Sequence, residues 1–331
     1  MRLLRNSATV LGAAGLALAA AVPGASAAHR PAGSGRPAPV IEASAPSLHP
    51  EGVAWDPTRR AFLVSSVRHG TVSVVRTDGS VRTLASDPVM VSTFGVHVDA
   101  ARHRFLVAYG DIGHGERSGP DTLDKVSGVG IFDLATGRPL HLVDLAIGPG
   151  NHAANDLTVD RWGNAYVTDP ASDTVYRIDT AGHASVLVSD PRLASPSIGL
   201  NGIVWDPAGF LLIVRYSDGT LFRVPLRDPA AFTPVQLERP LVGGDGMALR
   251  PDGDLVVVTN SLGSPGPDAV TVLRSRGGAW QAAHVVSRVE PWPGTSPTTV
   301  AVTPYGDYAV SGRLELLLTG TTSDQFTLRR V

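Results

Sequence analysis

The sequence predicts an all-β fold, a six-bladed β-propeller, because one short phrase recurs along the chain. Each copy has a polar residue, a small residue, an alternating apolar strand, a turn and a second apolar strand. The clearest copies are EGVAWDPTRRAFLVSS from Glu51, NDLTVDRWGNAYVTD from Asn155, NGIVWDPAGFLLIVRYSDG from Asn201 and DGMALRPDGDLVVVTN from Asp245. Weaker copies begin at Phe94 and Thr298. Most of the spacings between copies are close to the ~40–45 residues of a four-stranded blade, so one copy corresponds to one blade.

Turn chemistry supports this division into short strands. The pairs Asp78-Gly79, Asp218-Gly219 and Asp252-Gly253 separate apolar runs and are typical of β-hairpins. After the N-terminal segment, no stretch longer than about ten residues shows the 3.6-residue period of a helix. The sequence therefore predicts strands and turns throughout.

The N-terminus has the pattern of a secretory signal peptide over residues 1–27. Arg2 and Arg5 precede an apolar core from Val10 to Val22, and Ala25-Ser26-Ala27 is a small-residue cleavage site. Residues 28–37 are rich in Pro and Gly and predict a flexible leader. No later run reaches the ~18 apolar residues of a membrane span. We therefore expect a protein secreted through a Sec-type signal, without a membrane anchor.

The propeller is expected to occupy residues 38–331 and to close by pairing its two ends. The apolar segment PVIEASA precedes Glu51, and the last copy supplies three strands, TTVAVTP, DYAVSG and QFTLRRV. If PVIEASA is the outer strand of this last blade, both chain ends are paired and no open edge remains.

Composition excludes several function classes. The chain has 28 basic and 30 acidic residues and no basic run, so nucleic acid is a poor partner. It has no cysteine, which excludes thiol catalysis and a zinc-thiolate site. Motifs of serine hydrolases, zinc peptidases and nucleotide-binding proteins are absent from the sequence. We expect a monomer that binds a small-molecule substrate.

Four of the six residues that open the copies carry carboxylate or amide oxygens. They are Glu51, Asn155, Asn201 and Asp245. Equivalent positions of a propeller surround its axis, so these oxygens are expected to converge on a hard divalent cation. Two alternatives remain open: the residues serve only as turn formers, or the cation is structural without catalysis.

Other polar and aromatic residues are weaker candidates. His152 and His49 lie shortly before two of these positions and are expected to contact substrate, unless they are ordinary hydrogen-bonded histidines. His97 is expected to line the channel or to pack between blades. Tyr216 and Trp292 are expected either to line the mouth of the central channel or to pack between blades. The polar insertion 111–128 either covers the mouth or is an exposed loop.

The phrases EGVAWDP, NDLTVDRWGNAYVTD, NGIVWDPAG and DGMALRPDGDLVVVTN, in this order, resemble the senescence-marker-protein/gluconolactonase family. That family includes regucalcin, gluconolactonases and drug-responsive lactonases, and the paraoxonases are more distant. The resemblance implies one divalent cation in the central tunnel, usually calcium, with zinc, magnesium and manganese as alternatives. It implies that Glu51, Asn201 and Asp245 bind the cation and that Asn155 binds it or contacts substrate. Asp245 also matches the usual general base.

The chain departs from the family pattern at two positions. Ala153 stands where sugar-lactone members carry an arginine that contacts substrate, and Phe94 stands where paraoxonase-like relatives carry a histidine. Recognition of a polyhydroxylated lactone through that arginine is therefore not expected. The sequence predicts a secreted, cation-dependent hydrolase of lactones or related esters. The alternative is a non-catalytic extracellular binding or scaffold propeller with a structural cation.

Overall fold

The computed structural model describes residues 36–331, which form six four-stranded antiparallel sheets arranged as the blades of a propeller. The signal-peptide prediction for residues 1–27, and the leader prediction up to residue 35, lie outside this range. The all-β, six-bladed prediction is confirmed. Among the described residues, no helix is long and apolar enough to cross a membrane.

Five blades are built from consecutive strands, running from the axis outward. The first strand of the chain, β1 (Val40–Ser44), is followed by blade 1, with β2 (Val53–Asp56), β3 (Ala61–Val64), β4 (Thr71–Val75) and β5 (Val81–Ser86). Blade 2 has β6 (Ser92–Asp99), β7 (Arg104–Gly110), β8 (Ser127–Asp133) and β9 (Pro139–Asp144). Blade 3 has β10 (Leu157–Val159), β11 (Ala165–Thr168), β12 (Thr174–Ile178) and β13 (Ala184–Ser189).

The remaining blades follow the same plan until the last, which uses both chain ends. Blade 4 has β14 (Leu200–Asp206), β15 (Phe210–Arg215), β16 (Leu221–Pro225) and β17 (Thr233–Pro234). Blade 5 has β18 (Gly244–Leu249), β19 (Leu255–Thr259), β20 (Ala269–Arg276) and β21 (Ala282–Val289). Blade 6 has β22 (Thr299–Thr303), β23 (Gly306–Ser311), β24 (Gln325–Arg330) and β1. Short helical turns occur at Ala100–Arg102, Pro229–Ala231 and, as helix α1, Leu314–Leu317.

The predicted closure of the ring is confirmed. Strand β1 pairs antiparallel with β24, Val40 opposite Arg329 and Ser44 opposite Gln325. The Tyr308 hydroxyl lies 3.2 Å from the Pro37 carbonyl oxygen and 2.9 Å from that of Ala38, which fastens the segment entering β1. Pairing the two ends in one sheet removes the unpaired edges that an open arc would leave.

The core consists of apolar clusters between neighbouring blades. Phe62 and Val64 of β3 pack toward blade 6, whereas Leu63 between them packs toward blade 2. In β19, Leu255 and Val257 face blade 4 while Val256 and Val258 face blade 6. Successive side chains of a strand point to opposite faces, and each blade is covered on both faces. The central positions of the middle strands are therefore mostly apolar on both faces.

The innermost strands β2, β6, β10, β14, β18 and β22 touch one another in cyclic order and enclose the axis. Their approach explains the small residue in the repeated phrase. A Cβ at Gly52 would lie 2.2 Å from the carbonyl oxygen of Phe94, and one at Gly202 would lie 2.1 Å from that of Asp245. Such distances are far below van der Waals contact. Glycine after the polar residue lets the next blade come close.

We expect Gly202→Ala to lower the free energy of unfolding by about 1–3 kcal/mol, because the added methyl group pushes two inner strands apart. Urea denaturation of the purified protein measures this change. Gly119→Ala is the control, since a Cβ at Gly119 meets no atom within 4 Å, and it should change stability by less than about 0.5 kcal/mol. Equal stability of both variants would contradict the close approach of β14 and β18.

Candidate functional site

Two cavities occupy opposite ends of the channel enclosed by the inner strands. One, of about 700 Å³, is lined by inner-strand side chains and by the turns that follow β14 and β18. The other, of about 360 Å³, is lined by the residues that open the repeats and by loops at the opposite end. We call this second space the anchor cavity. Its volume falls in the range of small-molecule sites.

The four predicted cation ligands, Glu51, Asn155, Asn201 and Asp245, all line the anchor cavity. Asn201 and Asp245 are the second residues of β14 and β18, and Glu51 and Asn155 lie two residues before the first residues of β2 and β10. The same position of the other two blades has a different role. Phe94 lines the cavity wall, and the Thr298 hydroxyl donates to the Glu51 carbonyl oxygen at 2.6 Å. Ring closure therefore places residues from four blades around one space.

Three of these side chains have buried oxygens without a hydrogen-bond partner. They are Glu51 Oε2, Asn155 Oδ1 and Asn201 Oδ1. A buried acceptor that receives no hydrogen bond is costly, so three such acceptors beside one cavity require an external partner. Carboxylate and amide oxygens are ligands that hard cations prefer. The residues present therefore fit a divalent cation such as calcium.

The electrostatics of the cavity agree with this interpretation. Burial raises the pKa of Glu51 well above its ordinary value, and the nearby charges of Asp245 and Asp156 raise it further. Burial also raises the pKa of Asp245, which the Asn260 hydrogen bond partly opposes. Among residues 36–331, no lysine, arginine or histidine lines the cavity to compensate these carboxylates. Within residues 36–331, no three His, Cys, Asp or Glu side chains form a metal cluster, so the candidate site depends on its amide oxygens.

Asn260 is a site residue that the sequence analysis missed. Its Nδ2 donates to Asp245 Oδ2 at 2.5 Å and to the Pro297 carbonyl oxygen at 2.9 Å. Its Oδ1 accepts from the Tyr216 hydroxyl at 2.5 Å and from the Leu262 amide at 3.2 Å. These bonds fix one carboxylate oxygen of Asp245. The available signal was the polar residue that closes the second strand of the fifth copy, DLVVVTN.

Asp156, which follows Asn155, was also not singled out. Its carboxylate accepts from the Leu157 amide at 2.8 Å and from the Ile203 amide at 3.4 Å, so it joins blades 3 and 4. Burial raises its pKa to about 7. It lines the 700 Å³ cavity rather than the anchor cavity. The sequence signal for Asp156 is that an acid occupies, in this copy alone, the position after the first residue, where most other copies have glycine.

The two histidines expected to contact substrate do not line the anchor cavity. His49 Nε2 accepts from the Ser323 amide at 3.0 Å, and its Nδ1 donates to the carbonyl oxygens of Gly312 and Arg313 at 3.0 and 3.1 Å. His152 Nε2 donates to the Gly148 carbonyl oxygen at 3.1 Å. His152 Nδ1 lies 3.4 Å from the Tyr176 hydroxyl and 3.7 Å from Asp169 Oδ2. Both rings are buried and contact these protein groups, and we assign neither a role in substrate binding.

The remaining candidates divide between the cavity and the blade interfaces. Tyr216 and Ala153 line the anchor cavity, and the insertion contributes Ile112 and Asp124 to its wall. Trp292 packs between blades 5 and 6. His97 lines the 700 Å³ cavity at the other end of the channel.

The family model of the SMP-30/gluconolactonase/LRE-like region matches residues 49–292. No curated protein matches the chain. Among solved structures, the Malassezia sympodialis allergen Mala s 1 has a TM-score of 0.71 at 17% identity, covering 88% of this chain and 96% of that one. A Xanthomonas campestris gluconolactonase has a TM-score of 0.57 at 18% identity, covering 88% and 87%. Virginiamycin B lyase from Staphylococcus aureus has a TM-score of 0.55 at 12% identity, covering 88% and 99%. At these identities the structures show a shared fold.

We expect His97 to make stability fall in mild acid. Burial is the main cause that lowers its pKa to about 4, from 6.5 in the unfolded chain, with Arg104 adding to burial and Asp99 opposing it. Between these values the unfolded state binds a proton that the folded state does not. The contribution of neutral His97 to the free energy of unfolding is therefore fully present above about pH 6.5 and is lost as the pH falls toward 4.

The measurement is the free energy of unfolding in urea near pH 7 and pH 5, for the wild type and His97→Gln. The wild type should lose about 1–2 kcal/mol more than the variant over this interval. The same pH dependence in both proteins would show that His97 is not held neutral.

Proposed function

The chain belongs to the SMP-30/gluconolactonase/LRE-like family, and from this premise we propose that it is a divalent-cation-dependent hydrolase of lactones or related esters. The observation that carries the proposal is that the buried oxygens of Glu51, Asn155 and Asn201 have no hydrogen-bond partner and line the anchor cavity together with Asp245. A hydrolase needs a space next to such a set, and the anchor cavity of about 360 Å³ is that space.

We propose that Glu51, Asn155, Asn201 and Asp245 hold the cation, with calcium the first choice because all their donor atoms are oxygens. Zinc, magnesium and manganese are the alternatives. A bound divalent cation supplies Lewis-acid polarisation of a carbonyl oxygen. Neighbouring blades hold the backbone of three of these residues, because the carbonyl oxygens of Glu51, Asn155 and Asn201 accept hydrogen bonds from Thr298, Gly95 and Thr168. The site would be preorganised rather than assembled by the substrate.

Asp245 is the proposed general base. Its Oδ2 is held by Asn260, and the carboxylate borders the cavity. A water that attacks the carbonyl carbon transfers a proton to this carboxylate as the new C–O bond forms. The C–O bond of the lactone ring then breaks, and the proton passes to the departing alkoxide. The product is a hydroxy acid, and no serine or cysteine nucleophile is required.

The comparisons support this reading without deciding the chemistry. A gluconolactonase is similar in fold, which favours lactone hydrolysis, but so are a lyase and an allergen. A propeller fold hosts unrelated functions. The alternative is a non-catalytic binding or scaffold module in which the cation only stiffens the channel. The anchor cavity favours the enzyme over a scaffold, because an enzyme needs room for a substrate beside the ligand set. We also propose secretion, from the signal pattern of residues 1–27, and a monomeric state.

Cation binding is tested through stability. At calcium about 100 times its dissociation constant, the wild type should gain about 2.7 kcal/mol in the free energy of unfolding. Asn201→Ala removes one ligand oxygen and should weaken calcium binding at least about tenfold, so the gain at the same calcium concentration shrinks. Asn151→Ala, at an exposed asparagine outside the cavity, should keep the full gain. Metal analysis and denaturation with calcium or chelator measure both effects, and no gain in any protein would exclude the site.

Hydrolysis is tested with a panel of lactones and aryl esters at saturating calcium. Asp245→Asn should lower kcat about 10²- to 10⁴-fold, because the proposed base is lost. Asp121→Asn, at an exposed carboxylate outside the cavity, should leave kcat unchanged. Unchanged hydrolysis in Asp245→Asn would remove the proposed role of Asp245. Cation binding without hydrolysis of any substrate would favour the binding module.

A further inference from the structure

The anchor cavity has a polar floor and an apolar wall. The floor is the proposed ligand set. The wall consists of aliphatic and aromatic side chains from several blades, and we define it as Val67, Phe94, Ile112, Ile198, Leu262 and Leu318. Except for Phe94 these residues lie on loops at the cavity end of the propeller. Loops of separate blades therefore place apolar side chains around the opening of the anchor cavity.

The outer part of this wall is open to solvent. Ile112 and Leu318 are each 38% exposed and Ile198 is 36% exposed, whereas Val67 and Phe94 deeper in the cavity are almost fully buried. Single exposed aliphatic residues are common on protein surfaces. Three that border the same cavity form an apolar surface at a binding site, which is where such surfaces usually have a function.

Few polar groups of the cavity remain for a ligand once the floor is set aside. The other polar side chains of the lining are Asp124, Ser197, Tyr216 and Asn260. The Tyr216 hydroxyl donates to Asn260 Oδ1 and accepts from the Gly263 amide at 2.9 Å. Both polar atoms of the Asn260 side chain, Oδ1 and Nδ2, therefore have protein partners. Of the side chains that the structure describes in the lining, only those of Asp124 and Ser197 are left to bind substrate hydroxyls.

The charge of the cavity also limits its ligands. The acidic side chains of Glu51, Asp245 and Asp124 line it, and no basic side chain of the described part of the chain does. With the proposed cation bound, its two positive charges would balance Glu51 and Asp245, and an anionic substituent on the wall would still face the Asp124 carboxylate without a basic side chain beside it among the described residues. A polyhydroxylated ligand would leave water for a wall that offers its hydroxyls no hydrogen bonds. Both classes are disfavoured by the same lining.

We propose that the substrates are uncharged lactones or esters carrying an apolar substituent, and that the wall binds this substituent while the carbonyl group faces the floor. The proposal rests on the hydrolase function proposed above. Ile112, Ile198 and Leu318 are the specificity-determining residues, since they form the outer wall that the substituent must contact.

The test is a homologous series of γ-lactones, from the unsubstituted ring to an eight-carbon side chain, with glucono-δ-lactone for comparison. kcat/KM should rise about two- to fourfold per methylene until the wall is covered, following the transfer of apolar surface out of water. Glucono-δ-lactone should be a poor substrate. A kcat/KM that is flat or falls with chain length, or a preference for glucono-δ-lactone, would overturn the proposal.

A variant pair assigns the effect to the wall. Leu318→Ser should lower kcat/KM about tenfold for the longest lactone and leave the unsubstituted one unchanged, because only the long substituent reaches this position. Leu140→Ser is the matched control at an exposed leucine on β9, and it should change neither value. Equal losses on short and long lactones in Leu318→Ser would contradict a role in specificity.

A binding measurement separates failure of this proposal from failure of the hydrolase function. The uncharged dye N-phenyl-1-naphthylamine is titrated against the same proteins and followed by its fluorescence. If no lactone is hydrolysed, the hydrolase function fails. Dye binding that weakens in Leu318→Ser but not in Leu140→Ser would then support an apolar ligand for the wall. Absence of dye binding would overturn the wall's role as well.

Discussion

The structure of this protein depends on how closely its six inner strands approach the axis. At Gly52 and Gly202 the neighbouring blade comes so near that no Cβ fits beside its carbonyl oxygen. At one end of these strands the oxygens of Glu51, Asn155 and Asn201 are buried without a protein partner. The raised pKa of Glu51 has the same origin, because its carboxylate is buried beside other acids and no basic side chain. A cation bound here would give the three oxygens a partner, and it would reduce the free-energy cost of burying the Glu51 carboxylate.

The polar floor and the apolar wall of the anchor cavity come from different parts of the fold. The polar floor belongs to the inner strands and the residues just before them, where hydrogen bonds from neighbouring blades hold the backbone of Glu51, Asn155 and Asn201. The apolar wall belongs mainly to loops, including the insertion that carries Ile112 and the segment around α1 that carries Leu318. In the proposed function the floor performs the reaction and the wall selects the substrate. Loops tolerate change better than strands do, so the wall is the part of the site that is easier to alter.

Much of the fold followed from local patterns. Hairpin turns and two-residue alternation located the strands, and the order of apolar segments at the two ends predicted that β1 would complete blade 6. The floor was also predictable, because repetition places equivalent residues at equivalent distances from an axis. Asn260 carried a visible signal as the polar residue ending a repeat, but its contact with Asp245 depends on a side-chain direction that no spacing specifies. That the floor residues bind a cation stays a proposal.

The sequence by itself determined the all-β class, the number of blades, the closure of the ring and the four polar residues that meet at one end of the channel. Those features depend on short-range turn chemistry and on repetition, both of which are local. Only the tertiary structure decided that His49 is held by residues 312, 313 and 323 rather than exposed in the cavity. It also decided that the wall is apolar, since Val67, Ile198 and Leu318 share no motif. Their grouping arises because loops of different blades, far apart in the chain, cover the same end of one closed ring.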